Sequence, residues 1–70
     1  MKEEYLKKIE QYILKIGRDI LSEEADCIES AEILIIHLTD LGLQLKTFSD
    51  EEIIKENIYF KLDKTFEAID

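Results

Sequence analysis

The hydrophobic residues near the start of the chain recur at the spacing of an amphipathic helix. They are separated by three or four residues, and they are Leu6, Ile9, Ile13, Ile16 and Ile20. This spacing places them on one face of a helix, because an α-helix completes a turn every 3.6 residues or so, about 100° per residue. We predict that the first helix covers residues 2–16 and that Gly17 weakens or ends it. Residues 17–26 are then expected to form a loop held in place by Ile20 and Leu21.

A second amphipathic pattern begins where the first loop ends. Its hydrophobic positions alternate between spacings of four and three residues, and they are Cys27, Ala31, Leu34, Leu38, Leu41 and Leu45. Asp26 and Glu29 have the spacing of a capping box, so we predict that the second helix starts at Asp26. Gly42 is predicted to end this helix in a left-handed conformation, with Leu43 and Leu45 packing beyond it.

The last third of the chain contains a change of helical phase. Ser49 and Glu52 form another capping-box pattern, and Ile53 lies on a different face from the residues that follow. The later stripe consists of Leu62, Phe66 and Ile69. A break between Asn57 and Tyr59, with a final helix from about Lys61, allows both Ile53 and the later stripe to be buried. The sequence therefore predicts one all-α domain over residues 1–70, a small bundle of three main helices plus one short helix.

Composition narrows the possible partners and the location. The chain has 17 Asp and Glu against 9 Lys and Arg, for a net charge of −8. Such a surface repels nucleic acid and anionic membranes, so we expect neither as a partner and favour a protein with a basic patch. The hydrophobic fraction of 46% is enough to build a core. A single cysteine and apolar runs no longer than Ile33–Ile36 indicate a cytoplasmic protein without membrane spans.

The sequence lacks the combinations of residues expected of an enzyme active site or a metal site. Cys27 and His37 lie ten residues apart on the predicted second helix, which separates them by about 15 Å. They are too distant for a nucleophile and its base, and one cysteine with one histidine does not make a zinc site. The position of Cys27 near a helix N-terminus favours the thiolate, but the surrounding acidic residues are expected to oppose it, so we predict no reactive thiolate. We therefore predict no catalytic residues, no metal ligands and no enzyme activity, with His37 on the helix surface beside the core.

The side of the second helix away from its hydrophobic stripe carries acidic and apolar residues together. The residues predicted to bind a partner are Asp26, Glu29, Glu32, Ile33, Ile36 and Asp40. An isoleucine surrounded by carboxylates is typical of an interface with an apolar anchor and a charged rim. In the alternative interpretation, another helix of the same chain covers Ile33 and Ile36.

The segment DCIESAEILIIHLTDLGLQL resembles the second helix of acyl and peptidyl carrier proteins. In that family an Asp-Ser pair opens the helix, an aliphatic residue follows, and a Val/Ala-Glu-Leu run comes three residues later. The matching residues here are Asp26, Cys27, Ile28, Ala31, Glu32 and Ile33, with Leu41 and Gly42 where the family often has Phe-Gly. The segment FSDEEIIKENIYFKLDKTFEAI resembles the short third helix and the last helix of the family.

This resemblance implies that the second helix binds partner enzymes and that Cys27 occupies the position of the family's attachment serine. In carrier proteins the serine at this position carries a 4'-phosphopantetheine arm, and basic residues of partner enzymes bind helix two. Because Cys27 replaces the serine and a thiol is not the usual acceptor, we expect no functional arm and no bound cofactor. Cys27 is then either a relic of the attachment point or a small apolar residue at the start of the core stripe.

Two functional hypotheses follow. In the first, the chain is a non-catalytic, carrier-protein-like acidic domain that binds partner enzymes through helix two. In the second, it is a small acidic interaction or inhibitor protein of phage or plasmid type that blocks a basic, nucleic-acid-handling partner. The regular stripes also allow self-association, and we expect a monomer or a weak homodimer because each stripe is short for a coiled coil.

Overall fold

The computed structural model describes residues 1–69 and shows a small all-α bundle. Within this range the chain forms four helices, which are α1 Lys2–Leu21, α2 Ile28–Thr47, α3 Asp50–Lys55 and α4 Ile58–Ile69. Helix α1 packs mainly along α2, and α4 contacts both of them and the short α3. The molecule is elongated, with extents of 40 × 18 × 17 Å. The predicted fold class is therefore confirmed.

One hydrophobic core joins all four helices. Its buried apolar residues are Ile9, Ile16, Ala31, Leu38, Leu41, Leu45, Ile53, Ile58, Leu62 and Phe66. Most of them belong to the stripes that the spacing predicts, because the buried face of a helix must repeat with the helical period. Two members of the predicted stripe of α2 differ: Leu34 is half-buried and Cys27 is exposed.

Helix α1 continues past Gly17, so the predicted end of the first helix at Ile16 is wrong. The helix runs to Leu21, and the connection to α2 is limited to residues 22–27. A glycine inside a helix costs about 1 kcal/mol relative to alanine, and continuing the helix keeps Ile20 packed against the core beside Ile16. Leu21 is 87% exposed, so it does not hold the loop in place as expected.

The predicted boundaries of α2 are also wrong at both ends. Cys27, with extended backbone angles, occupies the N-cap in place of Asp26, and no side-chain capping bond forms there among the described residues. Gly42 lies inside the helix, is buried, and would place a Cβ 3.6 Å from the side chain of Ile9. The helix continues to Thr47 because this keeps Leu45 in phase with the buried face.

The predictions for the last third of the chain hold more closely. The side chain of Ser49 accepts a hydrogen bond from the Glu52 amide, and the Glu52 carboxylate accepts one from the Ser49 amide, so the capping box is confirmed. Asn57 has a φ of 53° and separates α3 from α4. The predicted break is confirmed, although α4 begins at Ile58, three residues before the predicted Lys61.

Aromatic residues pack α4 against one side of α1. The Tyr12 and Phe66 rings stack with centroids 4.8 Å apart, and the Tyr5 and Tyr59 rings lie 4.7 Å apart. The Tyr5 hydroxyl donates a hydrogen bond of 3.0 Å to Asp63, and partial burial together with this carboxylate raises the pKa of Tyr5. Among residues 1–69, no helix is both long enough and apolar enough to cross a membrane.

Candidate protein-binding surface on the second helix

The six residues that the sequence assigns to partner binding lie on the surface of the molecule. We call them the acidic face; they are Asp26, which lies just before α2, and Glu29, Glu32, Ile33, Ile36 and Asp40 of α2, and each is exposed. Ile33 is 65% exposed and Ile36 is 67% exposed. The alternative interpretation, in which another helix covers these two isoleucines, is wrong.

Their exposure follows from the way α2 packs. Leu38, Leu41 and Leu45 fill the face of α2 that meets the rest of the bundle, and a helix can turn only one face toward that bundle. Leu34 and Ile35 pack partly against the core, whereas Ile33, Ile36 and Leu43 point outward. Helix α2 is consequently apolar on two opposite sides, which is unusual for a surface helix of a small domain.

Two shallow depressions lie along the exposed side of α2. One, of about 530 Å³, is lined by α2 residues alone, including Ile33, Ile36 and Asp40. The other, of about 480 Å³, lies between α1 and α2. Both are lined by Thr39 and Leu43, so they form one continuous apolar surface that extends from the acidic face to α1.

The charged residues of the acidic face are all carboxylates, whereas Lys7 and Lys46 line the depression between α1 and α2. The sequence contains neither lysine nor arginine between Arg18 and Lys46. The only ion pairs within residues 1–69 join Lys2 to Asp50 and Lys64 to Glu67, on other elements. The carboxylates of the acidic face are therefore not neutralised within the described chain, and they remain available to cations of a partner.

Cys27 lies beside Asp26 of the acidic face, at the N-cap of α2. Its thiol is exposed, so the interpretation of Cys27 as a small core residue is wrong. The pKa of the thiol is lowered, chiefly by the neighbouring Ser30 side chain and further by the backbone amides of Ser30 and Glu29 in the first turn of α2. The neighbouring carboxylates, which were expected to oppose thiolate formation, do not outweigh the polar groups of the first turn, which favour the thiolate.

His37 is exposed on α2, as the sequence predicts. It lines the depression that also contains Ile33 and Asp40. Among residues 1–69, no group of three or more His, Cys, Asp or Glu side chains is arranged to hold a metal ion.

Sequence reasoning missed the contribution of Leu43 and of the neighbouring part of α1. Leu43 was expected to pack beyond the end of α2, but it lies within the helix and is 59% exposed. The signal was present in the spacing: Leu43 comes seven residues after Ile36 and so shares its side of the helix. The wrong helix end at Gly42 concealed this relation.

Comparison of the chain with protein-family models, with curated proteins and with solved structures finds no match. The resemblance to carrier proteins therefore stays a prediction.

Proposed function

We propose that this chain is a non-catalytic, carrier-protein-like binding domain that docks a protein partner through the acidic face of α2. The observation that carries the proposal is the exposure of Ile33 and Ile36 among carboxylates that have no basic partner within residues 1–69. An apolar anchor with a charged rim is a frequent arrangement at protein interfaces. The partner is expected to present a basic surface with an apolar centre.

The charge distribution supports a basic partner over other ligands. Six carboxylates lie between residues 22 and 45, and no lysine or arginine interrupts them. Their field attracts a cationic surface and increases the rate of encounter. We expect the association to weaken as salt concentration rises, because exposed charges are screened.

The placement of Cys27 supports the carrier-like part of the proposal. The resemblance aligns Cys27 with the serine that carries the arm, and the thiol lies exposed at the start of α2, next to the acidic face. A group attached at this position would project into solvent near the docked partner. With a thiol in place of the hydroxyl, we expect the native chain to remain without an arm.

The docking proposal is tested by comparing two substitutions of exposed aliphatic residues. Ile36→Lys places a cation at the centre of the acidic face, whereas Leu14→Lys makes a similar change at a residue of α1 that is 58% exposed. Proteins captured by the wild-type chain from its source cells are identified, purified and titrated by calorimetry. We expect Ile36→Lys to weaken binding at least about tenfold and Leu14→Lys to leave it nearly unchanged.

Equal loss with both variants, or a partner whose affinity is insensitive to salt, would contradict docking through the acidic face. The identity of the purified partner also separates the two functional hypotheses. An acyl- or aminoacyl-activating enzyme would support the carrier-like role, and a nucleic-acid-handling enzyme that loses activity on binding would support the inhibitor.

The carrier resemblance has a separate test that does not depend on the partner. Cys27→Ser restores the hydroxyl at the aligned position, and the variant is incubated with coenzyme A and a phosphopantetheinyl transferase of broad specificity. We expect intact mass spectrometry to show one added arm on Cys27→Ser and none on the wild type. An unmodified Cys27→Ser chain that retains its helical circular dichroism would count against the resemblance while leaving the docking proposal standing.

A further inference from the structure

A second regular stripe runs along the exposed side of α2. Its residues are separated by four, three, four and three positions, and they are Glu32, Ile36, Thr39, Leu43 and Lys46. All five are exposed, and the buried stripe of α2 contains none of them. We call this set the outer stripe. Its spacing is that of a helix seam that pairs with another helix.

The outer stripe is complementary to a reversed copy of itself. Thr39 stands at its midpoint, with Glu32 seven residues before it and Lys46 seven residues after it. Each charged residue is therefore about 10 Å along the helix from Thr39. When two copies of α2 lie antiparallel with their Thr39 residues side by side, Glu32 of each copy meets Lys46 of the other. A symmetric interface of this kind is the commonest in protein oligomers.

The centre of the outer stripe is suited to burial. The Thr39 hydroxyl already donates a hydrogen bond of 2.7 Å to the Ile35 carbonyl, so covering it leaves no unpaired donor. In the antiparallel arrangement Ile36 of one copy lies beside Leu43 of the other, at the edge of the depression between α1 and α2. A side chain that enters such a depression packs like a knob into a hole.

The first helix reinforces the charge pattern at one end. Lys7 lines the depression between α1 and α2 together with Lys46, and Glu10 lines it as well and offsets one of the two lysines. The opposite end of α2 carries the acidic residues Glu29 and Glu32 without a basic neighbour in sequence. The exposed side of α2 thus has an acidic end, an apolar centre and an end that contains lysines.

We propose that this surface binds a second copy of the chain, forming an antiparallel α2–α2 homodimer centred on Thr39. Each α2 is already held helical by its own bundle, which removes the cost of helix nucleation that limits short isolated coiled coils. The dimer covers Glu32 and Ile36. If the proposed docking function also holds, a second copy and a basic partner compete for the same surface.

The test measures the solution mass of the chain and of charge-exchange variants by sedimentation equilibrium over a wide concentration range. We expect the wild-type mass to rise toward twice the 8.3 kDa of one chain. Glu32→Lys or Lys46→Glu alone places like charges opposite each other and should weaken the dimer, whereas the two changes together should restore it. Ile36→Lys should weaken it at least about tenfold.

A further substitution separates the dimer from the docking of a basic partner. Asp40 follows Thr39 directly, so in the dimer the two Asp40 carboxylates lie on the same flank near the symmetry axis. Asp40→Asn removes their repulsion and should tighten self-association by about twofold, while it should weaken binding to a basic partner. Circular dichroism checks that each exposed substitution leaves the bundle folded.

Several results would overturn the dimer. A wild-type chain that keeps the mass of one chain up to roughly 1 mM would do so. A dimer that Ile36→Lys leaves intact, or one that the combined Glu32→Lys and Lys46→Glu exchange fails to restore, would exclude this geometry. A monomeric chain that binds a synthetic lysine–leucine amphipathic peptide would assign the surface to a basic partner, so the dimer would fail and the docking proposal would stand.

Discussion

The two sides of α2 have similar hydrophobic side chains and opposite surroundings. On the inner side, Leu38 and Leu45 are fully buried, whereas on the outer side Ile33 and Ile36 are about two-thirds exposed. Composition alone does not distinguish them, because leucine and isoleucine have similar transfer free energies. The difference arises from the neighbours: α1 and α4 pack against the inner side, while carboxylates surround the outer side. The contrast shows that one helix of this bundle can contribute to the core on one side and expose apolar residues on the other.

The largest effect expected from this contrast is on stability. Leu38→Ala removes a fully buried side chain and should lower the free energy of unfolding by about 2–5 kcal/mol. Ile36→Ala, the matched change on the outer side, should alter it by no more than about 0.5 kcal/mol when measured at a concentration low enough for the chain to be monomeric. Urea denaturation followed by circular dichroism measures both. Similar losses from the two variants would mean that the outer side contributes to folding and would remove the contrast.

A smaller effect is expected where the inner side of α2 contains a glycine. An added Cβ at Gly42 meets Ile9 at 3.6 Å, which is an ordinary contact. Gly42→Ala should therefore stabilise the protein by up to about 1 kcal/mol through helix propensity. Gly17→Ala in α1, where nothing lies within 4 Å of the added carbon, is the control and should give a similar gain. If Gly42→Ala destabilises while Gly17→Ala stabilises, the packing of α1 on α2 is tighter than described.

The smallest effect concerns Cys27, the first residue of the predicted stripe of α2, which is exposed instead of buried. The Ser30 side chain and the first-turn amides lower the pKa of this thiol in the folded chain. The thiolate fraction should then rise at lower pH in the native protein than in the unfolded chain. Because the folded state favours the thiolate, this contribution to stability is present at high pH and is lost as the pH falls through the folded pKa.

The rate of alkylation by iodoacetamide as a function of pH measures this difference, with the chain in urea as the reference. Ser30→Ala should move the midpoint of the native profile upward, toward that of the unfolded chain. A native midpoint above the unfolded one would show that the surrounding carboxylates, rather than the first-turn donors, control the thiol.

The helices and most of the core could be predicted because amphipathic spacing is a local property. The stripe through Ile9 and Ile16, the capping box at Ser49 and the break near Asn57 all follow from residues close together in sequence. The helix ends were less predictable. At Gly17 and Gly42 the local preference for ending a helix is outweighed by the burial of residues farther along, Ile20 and Leu45.

The sequence predicted that the carboxylates of the acidic face lie outside, and they are exposed, whereas it left open whether another helix covers Ile33 and Ile36. The shape of the surface around the acidic face was not predicted. The depression between α1 and α2 depends on how Leu6 and Ile13 sit beside Thr39 and Leu43, and these pairs are more than twenty residues apart. Spacing along one helix carries no information about such contacts.

The amino-acid sequence by itself determined that this chain forms amphipathic helices, that it is acidic, and that α2 carries apolar residues on two sides. Those properties depend on residue type and on the fixed period of the helix. Only the tertiary structure decided that the described helices leave Ile33 and Ile36 uncovered, where α1 and α2 end, and that Cys27 faces solvent. Those outcomes depend on which helices come together and on the free energy gained when their apolar faces leave water.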